Sequence, residues 1–471
     1  MNRILTRAAL VLCAAQAVNR LRSEATQVVL ASLAAVGLLA ACDRPFVPIR
    51  TPDLEIVSPD TSVVQTAARL TLRLRVTSFR GISRVEVAGE PLHSVGNDLF
   101  EGEIDLNPGE NRIVVVAFDS ESVPSADTLR FLRQTVLRTS GPLDPYAMGG
   151  WTASLLPDLT VLLLGGAPTD TSQATDRLVL FDPATGAARE VGHMSHPRAG
   201  HAVTLLPDGR LLVTGGSARG RPRGVHDLVE EAERIDPADF STVPLRLVGD
   251  PIRQANHTSS LRTTSEGLLV DLIGGWGDIQ YRPNSDFGVR KDFRSFVIRG
   301  DSLIARHPAP GPYLERLAGH AQAELDRGEP GRGGKILVSG WTADGLDLEN
   351  HALLLDTAHP AGIDVRTIAP PHEPRNDHAA VRDAGGLIWL LGGRIPSAQD
   401  PRDPAGRVAR GGSVYVPSFA RFLILSHEET ESWPFRVRPA ATLLPDGRIL
   451  LAGGWSDRGT AQPTFEYLVP E

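Results

Sequence analysis

Arginines, histidines and tryptophans recur in register along the later two-thirds of this 471-residue chain, and they are the side chains with chemistry to offer. Arg198, Arg375 and Arg436 each stand three residues before a common position, held by His201 in the clearest copy; Arg253 and Arg316 stand one residue farther back. Clustered guanidiniums grip carboxylates or phosphates in two-pronged contacts, and a concave mouth focuses their field. His201, His257, His320 and His378 share the common position. Imidazoles around an axis can hold a metal, or they can hydrogen-bond between neighbouring repeats. Trp151 and Pro439 break the column, which favours the second reading. Trp276, Trp341 and Trp455 each follow a glycine and offer flat faces, either to sugar rings or to packing between repeats.

The elements that must carry these residues are short strands. Residues 197–216 read PRAGHAVTLLPDGRLLVTGG, two apolar runs about Asp208-Gly209. Asp-Gly between apolar runs predicts a tight hairpin, because glycine accepts the positive φ of the turn. The wording returns at 439–454, PAATLLPDGRILLAGG. The second run recurs six times, ending at Gly166, Gly216, Gly275, Gly340, Gly393 and Gly454. A third strand follows most copies, and a fourth follows several, as at 188–191, 245–248 and 365–368. Four strands per repeat predict a propeller blade. The last copy stops after its third strand, so residues 135–139 (TVLRT) are expected to supply the fourth and leave no open edge.

Strand alternation sorts the surface. The Pro-Asp-Gly turns lie on one face, and the long loops 217–231, 276–293 and 394–411 lie on the other with the arginines. These loops add Arg219, Arg221, Arg223, Arg282, Arg290, Lys291, Arg394, Arg402, Arg407 and Arg410. Loops on a rigid scaffold are the usual place for binding. Pairing with Asp227, Glu230, Asp286, Asp400 and Asp403 is the competing account of these cations.

The N-terminal third differs. Residues 28–41 are an uncharged apolar run, short for a membrane span, preceded by Arg20 and Arg22 and ending Leu39-Ala40-Ala41-Cys42. Residues 43–53 are a proline-rich tether. Residues 54–133 show period-two strands, as at Leu70, Leu72, Leu74 and Val76, separated by turn signals; this predicts a sandwich. The formal charge of −8 argues against wholesale nucleic-acid binding. There are two cysteines, Cys13 and Cys42, and if both lie in a leader no disulfide framework, zinc cluster or thiol nucleophile can be built.

Three resemblances follow from these residues. Residues 39–42 resemble the bacterial lipobox, which implies cleavage before Cys42 and its acylation. The run FEGEIDLNPGENRIVVVAFD (100–119) resembles bacterial immunoglobulin-like modules. The glycine pairs, with Asp-Pro closing the third strands at 182–183 and 236–237, resemble the kelch family; Ser339 in place of the first glycine departs from it. The kelch resemblance implies a six-bladed propeller, and kelch adaptors use comparable arginines for acidic peptides. Copper radical oxidases share this type of propeller but need a cysteine cross-linked to tyrosine, which this chain lacks. Sialidases bind carboxylates through arginines; Tyr281 and Asp278 would be the nearest candidates here, without the family's aspartate box.

The expectation is therefore all-β: a leader (1–42), a tether (43–53), an immunoglobulin-like sandwich (54–133) and a six-bladed kelch propeller (134–471). It is expected to be a membrane-anchored envelope lipoprotein, with inner or outer membrane left open. It is expected to bind an anionic protein, peptide or glycan through Arg198, Arg253, Arg316, Arg375, Arg436, Trp276, Trp341 and Trp455, with no cofactor, metal or catalytic residue assigned. A carbohydrate-active enzyme is the alternative.

Overall fold

The computed structural model describes residues 51–278, 287–290, 293–306, 317–325, 335–343, 348–357, 363–396, 407–409, 411–425 and 430–470. The described residues are organised almost wholly as strands, with a single-turn 3-10 helix at Val225–Asp227. The fold is all-β and propeller-like. Cys42 and the apolar leader lie outside the described residues.

Two four-stranded sheets form the N-terminal part. One runs Asp53–Ser58, Arg69–Thr77, Leu99–Asp105, His93–Gly96; the other runs Glu90–Pro91, Ile82–Val87, Gly109–Asp119, Pro124–Arg133. Alternation explains their core. In Arg69–Thr77 the residues Leu72, Leu74 and Val76 point inward, while Arg69, Arg73 and Arg75 face solvent and pair with Asp105, Glu101 and Glu55. The inward set packs on Val85, Val115 and Phe131 of the facing sheet.

Beyond residue 134 the chain forms antiparallel four-stranded units. Thr152–Leu155, Val161–Leu164, Arg177–Phe181 and Ala188–His193 make the first. Units over 202–248, 258–305, 321–367 and 379–424 repeat the order, and the outer strands of the second and third join in parallel at Arg246–Val248 and Ser302–Ile304. The last unit takes Ala440–Leu443, Ile449–Ala452 and Thr464–Pro470, and its outer strand is Val136–Pro142, paired from Pro142↔Thr464 to Val136↔Pro470. The second strand of most units reads as an unbroken apolar run because both its faces are covered: Val161–Leu164, Leu211–Thr214, Ile388–Leu391 and Ile449–Ala452 are buried throughout.

A strap between the first two N-terminal strands docks this part onto the fifth unit. Val64 N–H donates to Ile424 O (2.9 Å), Ile424 N–H to Ser62 O (2.8 Å), and Gln65 N–H to Leu132 O (2.9 Å). Val64 is buried in the same cluster as Trp389, Leu423 and Leu468. The strap thus covers the outer edge strand Arg421–Ile424, which would otherwise present unpaired backbone.

Candidate anion-binding mouth

The glycine pairs explain how the units meet. At the end of most second strands the chain turns through two left-handed glycines, for example Gly215 (φ 58°) and Gly216 (φ 100°), whereas in the fourth unit the strand Lys335–Ala343 runs on through Ser339 and Gly340. A Cβ at Gly215 would lie 2.2 Å from Gln254 O, so only glycine fits. The second glycine then donates to the next unit: Gly166 to Arg198 O (2.9 Å), Gly216 to Gln254 O (2.8 Å) and Gly393 to Arg436 O (2.7 Å). The residue three before the histidine column is therefore a docking point between units.

That geometry corrects the expected arginine ring. Arg198, Arg375 and Arg436 are at most 1 % exposed. Each sends Nη1 to the carbonyl of the first glycine of its own unit: Gly215 (2.8 Å), Gly392 (3.0 Å) and Gly453 (2.5 Å). Each also meets a carboxylate: Glu233 at 2.7 Å, Glu373 at 2.7 Å and Glu466 at 3.6 Å. These guanidiniums staple the repeat and do not face a ligand. Arg253 is half exposed and paired with Glu230 at 2.7 Å. Arg316 lies outside the described residues.

The tryptophans divide. Trp455 is 1 % exposed, gives its indole N–H to Ala167 O (3.0 Å) and lies against Gly149, so it packs units together and is closed to a sugar. Trp276 is partly exposed and stacks on Phe287 at 5.6 Å. The backbone of Trp341 pairs with Asn350.

Three of the four column histidines join neighbouring units. His201 Nε2 lies 3.0 Å from Thr152 Oγ1, His257 Nε2 3.2 Å from Thr214 Oγ1, and His320 Nε2 3.0 Å from Thr258 Oγ1. Trp151 takes the same role, donating to Ala452 O at 3.1 Å. Among the described residues no group of three metal-ligating side chains comes together.

The residues that do gather at the axis come immediately before the histidine column: Gly150, Gly200, Asn256, Gly319, Asp377 and Arg438. All six are left-handed, with φ of 70°, 63°, 55°, 69°, 53° and 51°. Their backbones close a ring. Gly200 N–H donates to Gly150 O (2.7 Å), Asn256 to Gly200 (2.7 Å), Gly319 to Asn256 (3.3 Å), Asp377 to Gly319 (2.5 Å), Arg438 to Asp377 (2.7 Å), and Gly150 back to Arg438 (3.0 Å). The ring and the residues just after it line a cavity of about 350 Å³, within the size range of small-molecule sites.

Side chains at the ring carry the charge. Arg438 Nε donates to Asp377 Oδ1 at 2.7 Å, and its Nη1 reaches Gly220 O at 3.4 Å. Arg394 is buried and its backbone bridges to Asn376, the neighbour of Asp377. Arg221 follows Gly220 and lies 3.8 Å from Asp170. Burial alone would raise the Asp377 carboxyl, but the fields of Arg438, Arg221 and Arg394 outweigh it and hold it below the usual carboxylate range. Asn256 is 7 % exposed, and neither its Oδ1 nor its Nδ2 has a hydrogen-bond partner. A Cβ at Gly200 would lie 2.0 Å from that Oδ1, so the amide occupies the space glycine leaves.

Sequence reading placed Arg221 and Arg394 on the loop face but missed Asn256, Asp377 and Arg438. Aligning one more column of the repeat exposes them: three glycines, Asn, Asp and one arginine, in a position where the first five tolerate positive φ and the sixth does not. Other loop cations pair locally, Arg219 with Asp227 at 3.3 Å, in keeping with the competing account of those loops. Arg282, Lys291, Arg402, Arg410 and Tyr281 lie outside the described residues.

No protein-family model and no curated protein matches the chain. Among solved structures it is similar to a fungal alcohol oxidase of the AA5 family, in complex with copper, at 16 % identity and a TM-score of 0.45, over 88 % of this chain and 76 % of that one. A likeness of that degree bears on neither reaction nor ligand.

Proposed function

We propose that this chain is a lipid-anchored binding protein of a bacterial cell envelope. In this reading Cys42 carries the anchor, 54–133 is an immunoglobulin-like module, and 134–471 is a six-bladed kelch-type propeller closed by its N-terminal strand. The loop-face mouth binds an anionic group of a glycan, peptide or protein, with Arg221, Arg394 and Arg438 as the recognising cations. The observation that carries the binding role is Arg438, which lines the axial cavity and holds Asp377 Oδ1 at 2.7 Å, with Arg221 and Arg394 near enough for their fields to act on that carboxylate. Guanidiniums held beside a concave, partly desolvated mouth bind oxyanions in defined geometry.

The test is salt-dependent binding of an acidic polysaccharide and an acidic peptide to the purified protein. Arg221→Gln combined with Arg438→Asn should weaken binding at least ten-fold; asparagine tolerates the left-handed backbone at 438. Unchanged binding in the double variant overturns the reading. The anchor is tested separately: Cys42→Ala should abolish globomycin-sensitive processing.

A further inference from the structure

The two ends of the N-terminal sheets have different neighbours. At one end the strap and the close of Pro124–Arg133 meet the fifth and sixth units. At the other end Asp53 pairs with Thr77, and the turns at 78–81, 97–98 and 120–123 come together. We propose that this far end is a membrane contact, in which Phe79 enters the apolar layer of the bilayer that holds the acylated Cys42; this rests on the lipid-anchor reading above.

Phe79 is 89 % exposed, the most exposed large apolar side chain among the described residues. A lone apolar residue on a surface is ordinary, and the setting of this one carries the argument. The ring stands on a fixed turn. Gly81, with φ of 78°, donates its N–H to Ser78 O at 3.1 Å, and Arg80 N–H reaches Ser78 Oγ at 3.3 Å. The neighbouring turn braces it, Ser120 N–H donating to Gly81 O (3.2 Å) and Ser120 Oγ to Arg80 O (2.7 Å). The Arg80 guanidinium is drawn onto Asp119 at 3.4 Å and Glu121 at 3.3 Å. A braced turn that keeps a phenyl ring in water gives the isolated chain no hydrophobic gain.

The course of the chain supplies the partner. Thr77 pairs with Asp53, and Phe79 follows Thr77 by two residues, so the chain that leads back to Cys42 leaves the sheets beside this turn. The stretch from Cys42 to Asp53 spans at most about 40 Å even when fully extended. A bilayer that holds the acyl chains of Cys42 therefore lies within that reach of the turn. Acyl chains alone leave the protein free to swing about its tether. A second contact linked at such short range needs little affinity of its own to fix the orientation. The strand Gly109–Asp119 then sets the distance to the propeller, about 35 Å for its 11 residues. Val95, 53 % exposed, adds apolar surface at the same end. Asp53, Asp98 and Glu121 are exposed there and repel anionic headgroups, so the contact is apolar and suits zwitterionic phospholipid.

The experiment uses the processed, lipidated chain in phosphatidylcholine vesicles. With the leader cleaved and Cys42 acylated, Phe79→Cys supplies the one free thiol for an environment-sensitive fluorophore. Its emission should shift to the blue on reconstitution and fall at least two-fold when the lipid tails are brominated, at low and high salt alike. The same label at Leu159→Cys, an exposed site on a turn of the first unit, should show neither change. A label at Val95→Cys keeps the native ring; it should also be quenched, and adding Phe79→Ser should weaken that quenching at least two-fold. Flotation of the vesicles reads the anchor itself. A chain that floats while position 79 behaves like position 159 overturns the Phe79 contact and leaves the anchor standing. Loss of quenching at high salt also overturns an apolar contact. A chain that neither loses its leader nor floats overturns both readings.

Discussion

Arg198 and Glu233 form an ion pair at 2.7 Å with essentially no exposure of either side chain. The guanidinium also holds Gly215 O and Glu231 O, so it satisfies the turn that docks the second unit on the third. Arg198→Ala strands a carboxylate in the interior and should cost about 3–5 kcal/mol. Urea unfolding of the variant measures this. Arg198→Met, which keeps the bulk of the side chain, strands the same carboxylate and should lose a comparable amount. Anion binding by the fraction that remains folded should match the native protein, because this arginine does not reach the mouth.

The buried imidazoles predict acid sensitivity. Burial pushes His201, His257 and His378 down to about 3 and His320 to about 4. Their folded values lie below the unfolded value near 6.5. Between the two, the unfolded chain binds more protons, so stability is complete above about pH 6.5 and falls as the pH drops towards 4. Each imidazole contributes a slope on the order of 1 kcal/mol per pH unit in that window. His378, whose ring nitrogens have no hydrogen-bond partner, is the cleanest probe. Denaturant midpoints measured from pH 4.5 to 7 should fall less steeply in His378→Leu than in the native chain. Parallel curves would refute the assignment of this dependence to His378.

Docking of the N-terminal sheets should be part of global stability. Val64 is 1 % exposed among side chains of the fifth and sixth units. Val64→Asp places an unpaired charge there and should cost roughly 3 kcal/mol or more. Thermal unfolding of the native chain should be a single transition, whereas the variant should release the strap and expose 421–424 to protease before the remainder melts.

The repeat could be read in the sequence because its signals are backbone signals. Asp208-Gly209 and Asp446-Gly447 mark turns, and the apolar runs ending at Gly166, Gly216 and Gly454 mark strands covered on both faces. The site was less legible because side-chain direction depends on a reversal the sequence does not display. The left-handed residues Gly200, Asp377 and Arg438 turn the chain between the conspicuous arginine and the strand. That turn sends the side chains of Arg198, Arg375 and Arg436 into the seam between units and leaves position 438 at the axis. Trp455 teaches the same lesson: its place after a glycine pair was visible, but the floor formed by Gly149, which receives its ring, comes from the far end of the sequence.

The pairing of Val136–Pro142 with Thr464–Pro470 has a kinetic consequence. Its Arg138–Glu466 contact joins residues 328 apart in sequence. Closing so long a loop is entropically expensive before any contact rewards it, and non-local strand pairing slows folding. During synthesis the 136–142 strand must therefore wait as an unpaired edge until the last unit emerges, which makes it the segment most exposed to wrong partners. A chaperone that shields a single strand would have its clearest task there.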